Sequence, residues 1–288
     1  MQQIRKAKLQ WQGKGCIFES GKYSNSASIV CIAANYESYV GRWSRLVARQ
    51  FLTWLDVPSG AKWLDVGCGT GALSQTILGS AFPHAVLGID SSEEYIEFAR
   101  EQIQDPRVAF RLGDAQALPV QSSAYDAVVS GLVLNFFPRP NQALSEMIRA
   151  VRIGGTVAAY VWDYAGQMQL MRYFWDAAVA LDGAVSSLDE GQRFPLCQPE
   201  PLRQLFQTSQ LGKVEVHLID VATNFRDLDD YWSPFLGGQG PAPGYTMSLS
   251  EERRVALRER IRLTLPAAPD GSIHLVARAW AVHGVRKN

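Results

Sequence analysis

The 288-residue chain is predicted to fold as an α/β protein, a doubly wound, mostly parallel sheet of seven strands carrying a helical cap. Three observations predict it. Short apolar runs alternate with helical patterns from Lys62 to Trp162, the rhythm of successive βαβ units. The stretch Lys62-Trp-Leu-Asp-Val-Gly-Cys-Gly-Thr-Gly-Ala-Leu73 passes from one such run into three closely spaced glycines, as where a strand ends and a helix begins. Before the last strand, roughly fifty residues break the rhythm, far more than an ordinary loop and so a cap or lid.

Residues 1–34 have no sustained hydrophobic period and are expected to form a poorly ordered extension. A core then spans 35–163. Val40, Trp43, Val47, Phe51 and Leu55 recur at helical spacing, with Gly41 bending the pattern, and Pro58-Ser59-Gly60 ends it. Trp63, Leu64 and Val66 suit a buried first strand, and a helix of about eight residues follows the glycine turn. Ala85 to Asp90 reads as the second strand. Ser91-x-x-Glu94 reads as a capping box opening a helix to Gln104. Arg107 to Leu112 is the third strand and Tyr125 to Gly131 the fourth. A helix presents Leu144, Ile148 and Val151 on one face, and Gly154-Gly155 starts a fifth strand ending at Trp162.

The cap is expected over 164–212 and 221–271, with 213–220 and 272–283 as the last two strands. Its helices are predicted at Met168 to Leu181, at Glu200 to Leu211, and at Glu251 to Leu265 behind Ser248-x-x-Glu251. The arginines of the last helix are balanced by Glu251, Glu252 and Glu259, while Leu257, Ile261 and Leu265 supply a core stripe, so a solvated amphipathic helix is expected.

Bulk properties narrow the function. Lys plus Arg and Asp plus Glu each number 28, so the formal charge is zero and nucleic-acid partners are disfavoured. Cys16, Cys31, Cys68 and Cys197 form no Cys-x-x-Cys spacing, which suggests neither a disulfide framework nor a metal site and fits a cytoplasmic location. The run Ile29 to Ala34 is too short for a signal segment, and no stretch approaches the ~18 apolar residues that suggest a membrane span.

The glycine turn invites a ligand onto bare backbone N–H groups at a helix N-terminus. By spacing alone, Gly67-x-Gly69-x-x-Ala72 also fits a dinucleotide fingerprint. Asp65, a carboxylate in an otherwise apolar strand, favours a cofactor with a cationic amine or sulfonium. Asp90, 23 residues past Gly67 at the end of the second strand, is placed to accept the hydroxyls of a ribose.

Leu-Asp-Val-Gly-Cys-Gly-Thr-Gly resembles motif I of the class I S-adenosylmethionine-dependent methyltransferases, and the later elements resemble the small-molecule, type 11 group over about residues 36–163. The resemblance implies a Rossmann-like methyltransferase fold, S-adenosyl-L-methionine as cofactor and a small-molecule acceptor. It places Gly67, Cys68 and Gly69 under the methionine part, with Asp65 holding the ammonium. It puts Asp90 on the ribose, Ser91, Asp114 and Ala115 around the adenine, and Ser130, Gly131 and Leu132 beside the sulfonium and methyl group. One departure is chemical: where many relatives carry a His or an acidic residue after the fourth strand, Leu134-Asn135-Phe136-Phe137 offers an amide and two aromatics. None of His84, His217, His274 and His283 falls at the expected cofactor mouth; if the acceptor is an alcohol or phenol, the candidate bases are Asp163 after the fifth strand and Tyr36 and Tyr39 ahead of the first.

Methyl transfer from a sulfonium is an in-line displacement, for which positioning can suffice. Acceptor contacts are expected from Tyr36, Tyr39 and Arg42 ahead of the core, from Trp162, and from a lid holding Tyr231, Trp232, Phe235 and Tyr245 among glycines and prolines. The competing readings are a methyltransferase acting on RNA or protein, a nicotinamide oxidoreductase, and a non-catalytic cofactor-binding regulator.

Overall fold

A computed structural model describes residues 41–288 except 210, 238 and 239. The extension 1–34, together with Tyr36 and Tyr39, lies outside the described residues, as does the side chain of Arg42.

Helix α1, Arg42–Leu55, buries Trp43, Val47, Ala48 and Phe51 along one face. Strand β1, Lys62–Val66, is buried from its second residue onward, which is why its apolar run is uninterrupted apart from Asp65. Helix α2, Ala72–Ser80, leads to β2, Ala85–Asp90. Helix α3, Glu93–Gln102, is capped by Ser92, whose hydroxyl accepts from the Tyr95 N–H at 3.2 Å. The cap is thus Ser92 and not Ser91, because Ser92 holds the extended conformation that lets its side chain turn back onto the first turn. Strand β3 is Val108–Leu112 and β4 is Tyr125–Gly131. Helix α4, Pro140–Ala150, opens on a proline and passes directly into β5, Val151–Trp162.

The cap begins with α5, Gln169–Leu181, a short α6, Glu190–Arg193, and α7, Pro199–Gln207. Strand β6 then runs Leu211–Phe225, beyond the expected end at Asp220; its outer half alternates buried and exposed residues. Helices α8, Leu228–Trp232, α9, Pro241–Ser248, and α10, Glu251–Thr264, complete the cap before β7, Ile273–Arg286. Ser250 caps α10, accepting from the Arg253 N–H, whereas the expected Ser248 closes α9. On α10, Arg254, Arg258 and Arg262 pair with Glu251, Asp229 and Glu259.

The seven strands form one sheet in the order β3-β2-β1-β4-β5-β7-β6. Neighbours from β3 to β5 are parallel, and β7 lies antiparallel between β5 and β6, so six strands share one direction. The chain reverses its order of winding between β1 and β4. Open α/β sheets bind ligands at the carboxyl ends of the strands beside such a switch. A single hydrophobic cluster joins sheet and cap: Phe51 of α1 packs on Tyr160 of β5 at 4.6 Å between ring centres, and Phe174 of α5 stacks on Phe235 at 4.4 Å.

Candidate active site

The turn after β1 is shaped by glycines in the left-handed region, Gly67 with φ 73° and Gly69 with φ 51°. A Cβ on Gly67 would come within 2.5 Å of Val133, so this residue must be glycine for the chain after β4 to lie against the turn. A Cβ on Gly69 would meet nothing within 4 Å, so the backbone there borders open space. The turn is tied to the end of β2: the N–H groups of Gly67 and Cys68 donate to the Ile89 carbonyl at 2.7 and 3.0 Å, and that of Gly69 donates to Asp90 Oδ2 at 2.9 Å.

Asp90 is thereby fixed at the carboxyl end of β2, its other oxygen accepting from the Ser92 N–H at 2.9 Å. Burial pushes its carboxyl up, against the pull of these backbone donors. Asp65 is 1% exposed, and Ser74 of α2 donates to its Oδ2 at 2.7 Å while Oδ1 has no partner. Desolvation raises its pKa to about 7, with the nearby Asp90 charge adding to the shift. A buried carboxylate with an unused oxygen, one residue ahead of the turn, is complementary to a cationic ligand group. The residues present therefore fit a cofactor with an ammonium group and ribose hydroxyls.

The remaining expected contacts sit along the same edge. The Gly113 N–H donates to the Asp90 carbonyl at 2.9 Å, bringing the ends of β2 and β3 together. Asp114 is exposed and accepts from the Gln116 N–H at 2.8 Å; Ala115 is buried, and Ser91 is exposed beside them. At the end of β4, Ser130 is fully buried with its hydroxyl unpartnered. Gly131 packs so closely on Tyr160 that a Cβ would lie 2.6 Å from its hydroxyl oxygen. Leu132 takes φ 61°, strained backbone for a branched residue and of a kind that clusters at ligand sites.

The expected acceptor residues divide. Trp162 lies at the end of β5 and is 2% exposed. Tyr231 and Phe235 have no exposed surface, and the Tyr231 hydroxyl donates to the Leu170 carbonyl at 2.6 Å. Trp232 packs on Phe235, and Tyr245 on Phe174 and Trp175. This segment is thus the packed interior of the cap, built on α5. Another group stands at the carboxyl ends of β4 and β5, where Asn135 and Phe136 of the stretch after the fourth strand are joined by Tyr164, Arg193 and Phe194, which the sequence does not single out. Phe136 meets Phe194 edge to face at 4.9 Å, Tyr164 lies 5.8 Å from Phe194, and the Arg193 guanidinium sits over the Phe194 ring at 5.3 Å. Asn135 beside Phe136 has an amide shut off from solvent with neither end hydrogen-bonded.

No histidine lies in this group. His217 and His283 pack against Trp54 on α1, His274 bonds Asn224 and Ser272, and His84 is exposed before β2. Asp163 follows β5, but its oxygens accept from the Gly166 and Gln167 N–H groups at 3.1 and 2.9 Å.

The fold and the glycine turn define an α/β domain of the class that binds nucleotide-like cofactors at the switch point between β1 and β4. Comparison with known proteins agrees: residues 64–159 match the family model described as a methyltransferase domain. The chain carries a class I S-adenosylmethionine-dependent methyltransferase domain, and S-adenosylmethionine is the cofactor of that domain.

Trans-aconitate 2-methyltransferase of Variovorax paradoxus is 32% identical over 117 residues, 40% of this chain and 44% of that protein. Malonyl-[acyl-carrier protein] O-methyltransferase of Methylococcus capsulatus is 34% identical over 122 residues, 42% and 44% of the two chains. The mouse tRNA (carboxymethyluridine(34)-5-O)-methyltransferase is 36% identical over 123 residues, 42% of this chain and 17% of that protein. The chain thus spans less than half the length of these curated relatives. Among solved structures, phosphoethanolamine N-methyltransferase 2 of Haemonchus contortus, in complex with phosphomonomethylethanolamine and S-adenosylhomocysteine, shares the fold. Its TM-score is 0.55 at 15% identity, over 92% of this chain and 58% of that one. Among the described residues no helix is long and apolar enough to cross a membrane.

Proposed function

We propose that the protein transfers a methyl group from S-adenosylmethionine to a small-molecule acceptor, chiefly by holding donor and acceptor in line. The observation that carries this reading is Asp65, a buried carboxylate with one oxygen unpartnered beside an open glycine turn tied to Asp90. Asp65 holds the cofactor's ammonium, Asp90 its ribose hydroxyls, and Asp114 with Ala115 its adenine edge. Ser130, Gly131 and Leu132 border the reactive methyl. When bound, the cofactor supplies an activated methyl on a cationic leaving group, so the protein's part is orientation and exclusion of water.

The two cap segments, expected at 164–212 and 221–271 and trimmed by the longer β6, Leu211–Phe225, enclose the acceptor side. The ring cluster of Tyr231, Trp232, Phe235 and Tyr245 supports α5, and the segment following α5 carries Phe194 and Arg193 toward Phe136. A small-molecule acceptor is in keeping with the relatives named for trans-aconitate and malonyl substrates, and zero net charge weighs against the tRNA named for another. The test is incubation with methyl-labelled cofactor and a cell metabolite extract. A labelled small product is expected; label found only in added tRNA or protein would move the function to a macromolecular acceptor.

A further inference from the structure

We propose that the methyl acceptor is a carboxylate on a flat apolar body, resting on Phe136 and Phe194, its charge met by Arg193 and one oxygen held by the Asn135 amide. The inference rests on the methyltransferase reading and deepens it.

Four observations meet at the carboxyl ends of β4 and β5. Asn135 keeps both amide ends buried and unpaired, where an unsatisfied polar group costs about 1–3 kcal/mol. Such a group in a site asks for a ligand that satisfies it. Phe136 and Phe194, at 4.9 Å, with Tyr164 at 5.8 Å, form an aromatic wall suited to a flat body. Arg193 lies over the Phe194 ring and is exposed, with the buried Glu190 as a neighbouring charge but no hydrogen bond from its guanidinium among the described residues, so its planar fork of donors can turn to a carboxylate.

Finally, among the described residues no histidine and no carboxylate free of a partner belongs to this group. Asp65 and Asp90 belong to the cofactor turn, both Asp163 oxygens accept from backbone N–H groups, the buried Glu190 carboxyl accepts from the Trp175 indole, and every histidine is elsewhere. An alcohol, a phenol or an ammonium must lose a proton during transfer, whereas a carboxylate is ionised at neutral pH. The step balances without proton movement. A lone pair on one carboxylate oxygen forms the O–CH3 bond, the S–CH3 bond breaks, and its electron pair stays on sulfur. The negative acceptor and positive donor become a neutral methyl ester and a neutral thioether.

The test uses the full-length protein, methyl-labelled S-adenosylmethionine and the acidic fraction of a small-molecule cell extract, with trans-cinnamate as a defined flat carboxylate alongside. Products are treated with mild alkali, which hydrolyses a methyl ester and releases its label as volatile methanol. The expected result is label that becomes volatile. Asn135→Ala should cut transfer at least about tenfold and Asn135→Asp further, by like-charge repulsion, with S-adenosylhomocysteine affinity unchanged. Arg193→Ala should raise the acceptor KM several-fold with kcat little changed, and Arg193→Lys should recover part of it.

A purely structural Asn135 would lower the melting temperature of Asn135→Ala, whereas loss of an unpaired amide leaves it unchanged or raised. Label that survives alkali, or no transfer to any acid by protein that binds S-adenosylhomocysteine, overturns the proposal. Failure to bind S-adenosylhomocysteine overturns instead the reading on which it rests.

Discussion

At the scale of single residues, two buried carboxyls carry most of the chemistry that can be checked. Asp65 has its pKa raised to about 7 by burial, so in the free protein a large fraction is protonated at neutral pH. A cation bound beside it favours the ionised form, so cofactor binding should release a proton and tighten as pH rises from 6 to 8. Calorimetry of S-adenosylmethionine across that range checks this, and Asp65→Asn should flatten the dependence while weakening binding at pH 8. Glu190 lies in the cap, 2% exposed, with the Trp175 indole N–H donating to it, and burial raises its pKa to about 7.

A carboxyl whose folded pKa is raised stabilises the fold below its unfolded pKa, and that contribution is lost as pH rises through about 7. Glu190→Gln keeps an acceptor for Trp175 and removes the titration. It should match the wild type near pH 5 and exceed its stability at pH 9 by about 2 kcal/mol, read from denaturant unfolding at both pH values.

At the scale of elements, the turn after β1 separates packing from ligand contact within three residues. Gly67→Ala adds a Cβ 2.5 Å from Val133 in a left-handed backbone, so it should destabilise the protein by about 2–3 kcal/mol. Gly69→Ala meets no protein atom within 4 Å and carries mainly backbone strain of about 1 kcal/mol, yet on the proposed cofactor placement its methyl would project into the ligand's space. Melting curves paired with S-adenosylhomocysteine titration should show stability loss larger for Gly67→Ala, and affinity loss out of proportion to stability loss for Gly69→Ala.

This turn was legible because its chemistry is contiguous: Asp65, the glycines and the following helix occupy a dozen residues, and Asp90 closes the next strand. The proposed acceptor side was legible only in part, because Asn135 and Phe136 follow the fourth strand whereas Tyr164, Arg193 and Phe194 come from two further segments joined to it only by folding. The segment expected to form a lid shows the same limit. Its aromatic density marked burial against α5, and composition does not distinguish a buried ring from one facing a ligand. Strand β6 outruns its apolar signal because its outer half, from Val221 to Phe225, buries alternate residues and lacks a continuous apolar run.

At the scale of the whole molecule, sheet and cap share one core. Trp43 on α1 meets Phe225 on β6, Phe225 meets Tyr231, and Tyr231 meets Phe235, which stacks on Phe174 of α5. Sheet and cap should therefore unfold in one cooperative transition, with matching calorimetric and van't Hoff enthalpies; two separable transitions would show that the cap is an independent unit. The topology follows from the alternating pattern of the first five strands, and the inserted β7 explains why the last strand pair lacks that rhythm.

The central claim is that the glycine turn, Asp65 and Asp90 form the cofactor site of a methyltransferase. Isothermal titration of S-adenosylhomocysteine into the wild type and Asp90→Ala tests it most directly. Saturable binding to the wild type, weakened at least about tenfold by loss of the carboxylate that faces the ribose, is the predicted result. No binding to the wild type, or equal binding to both proteins, would contradict it.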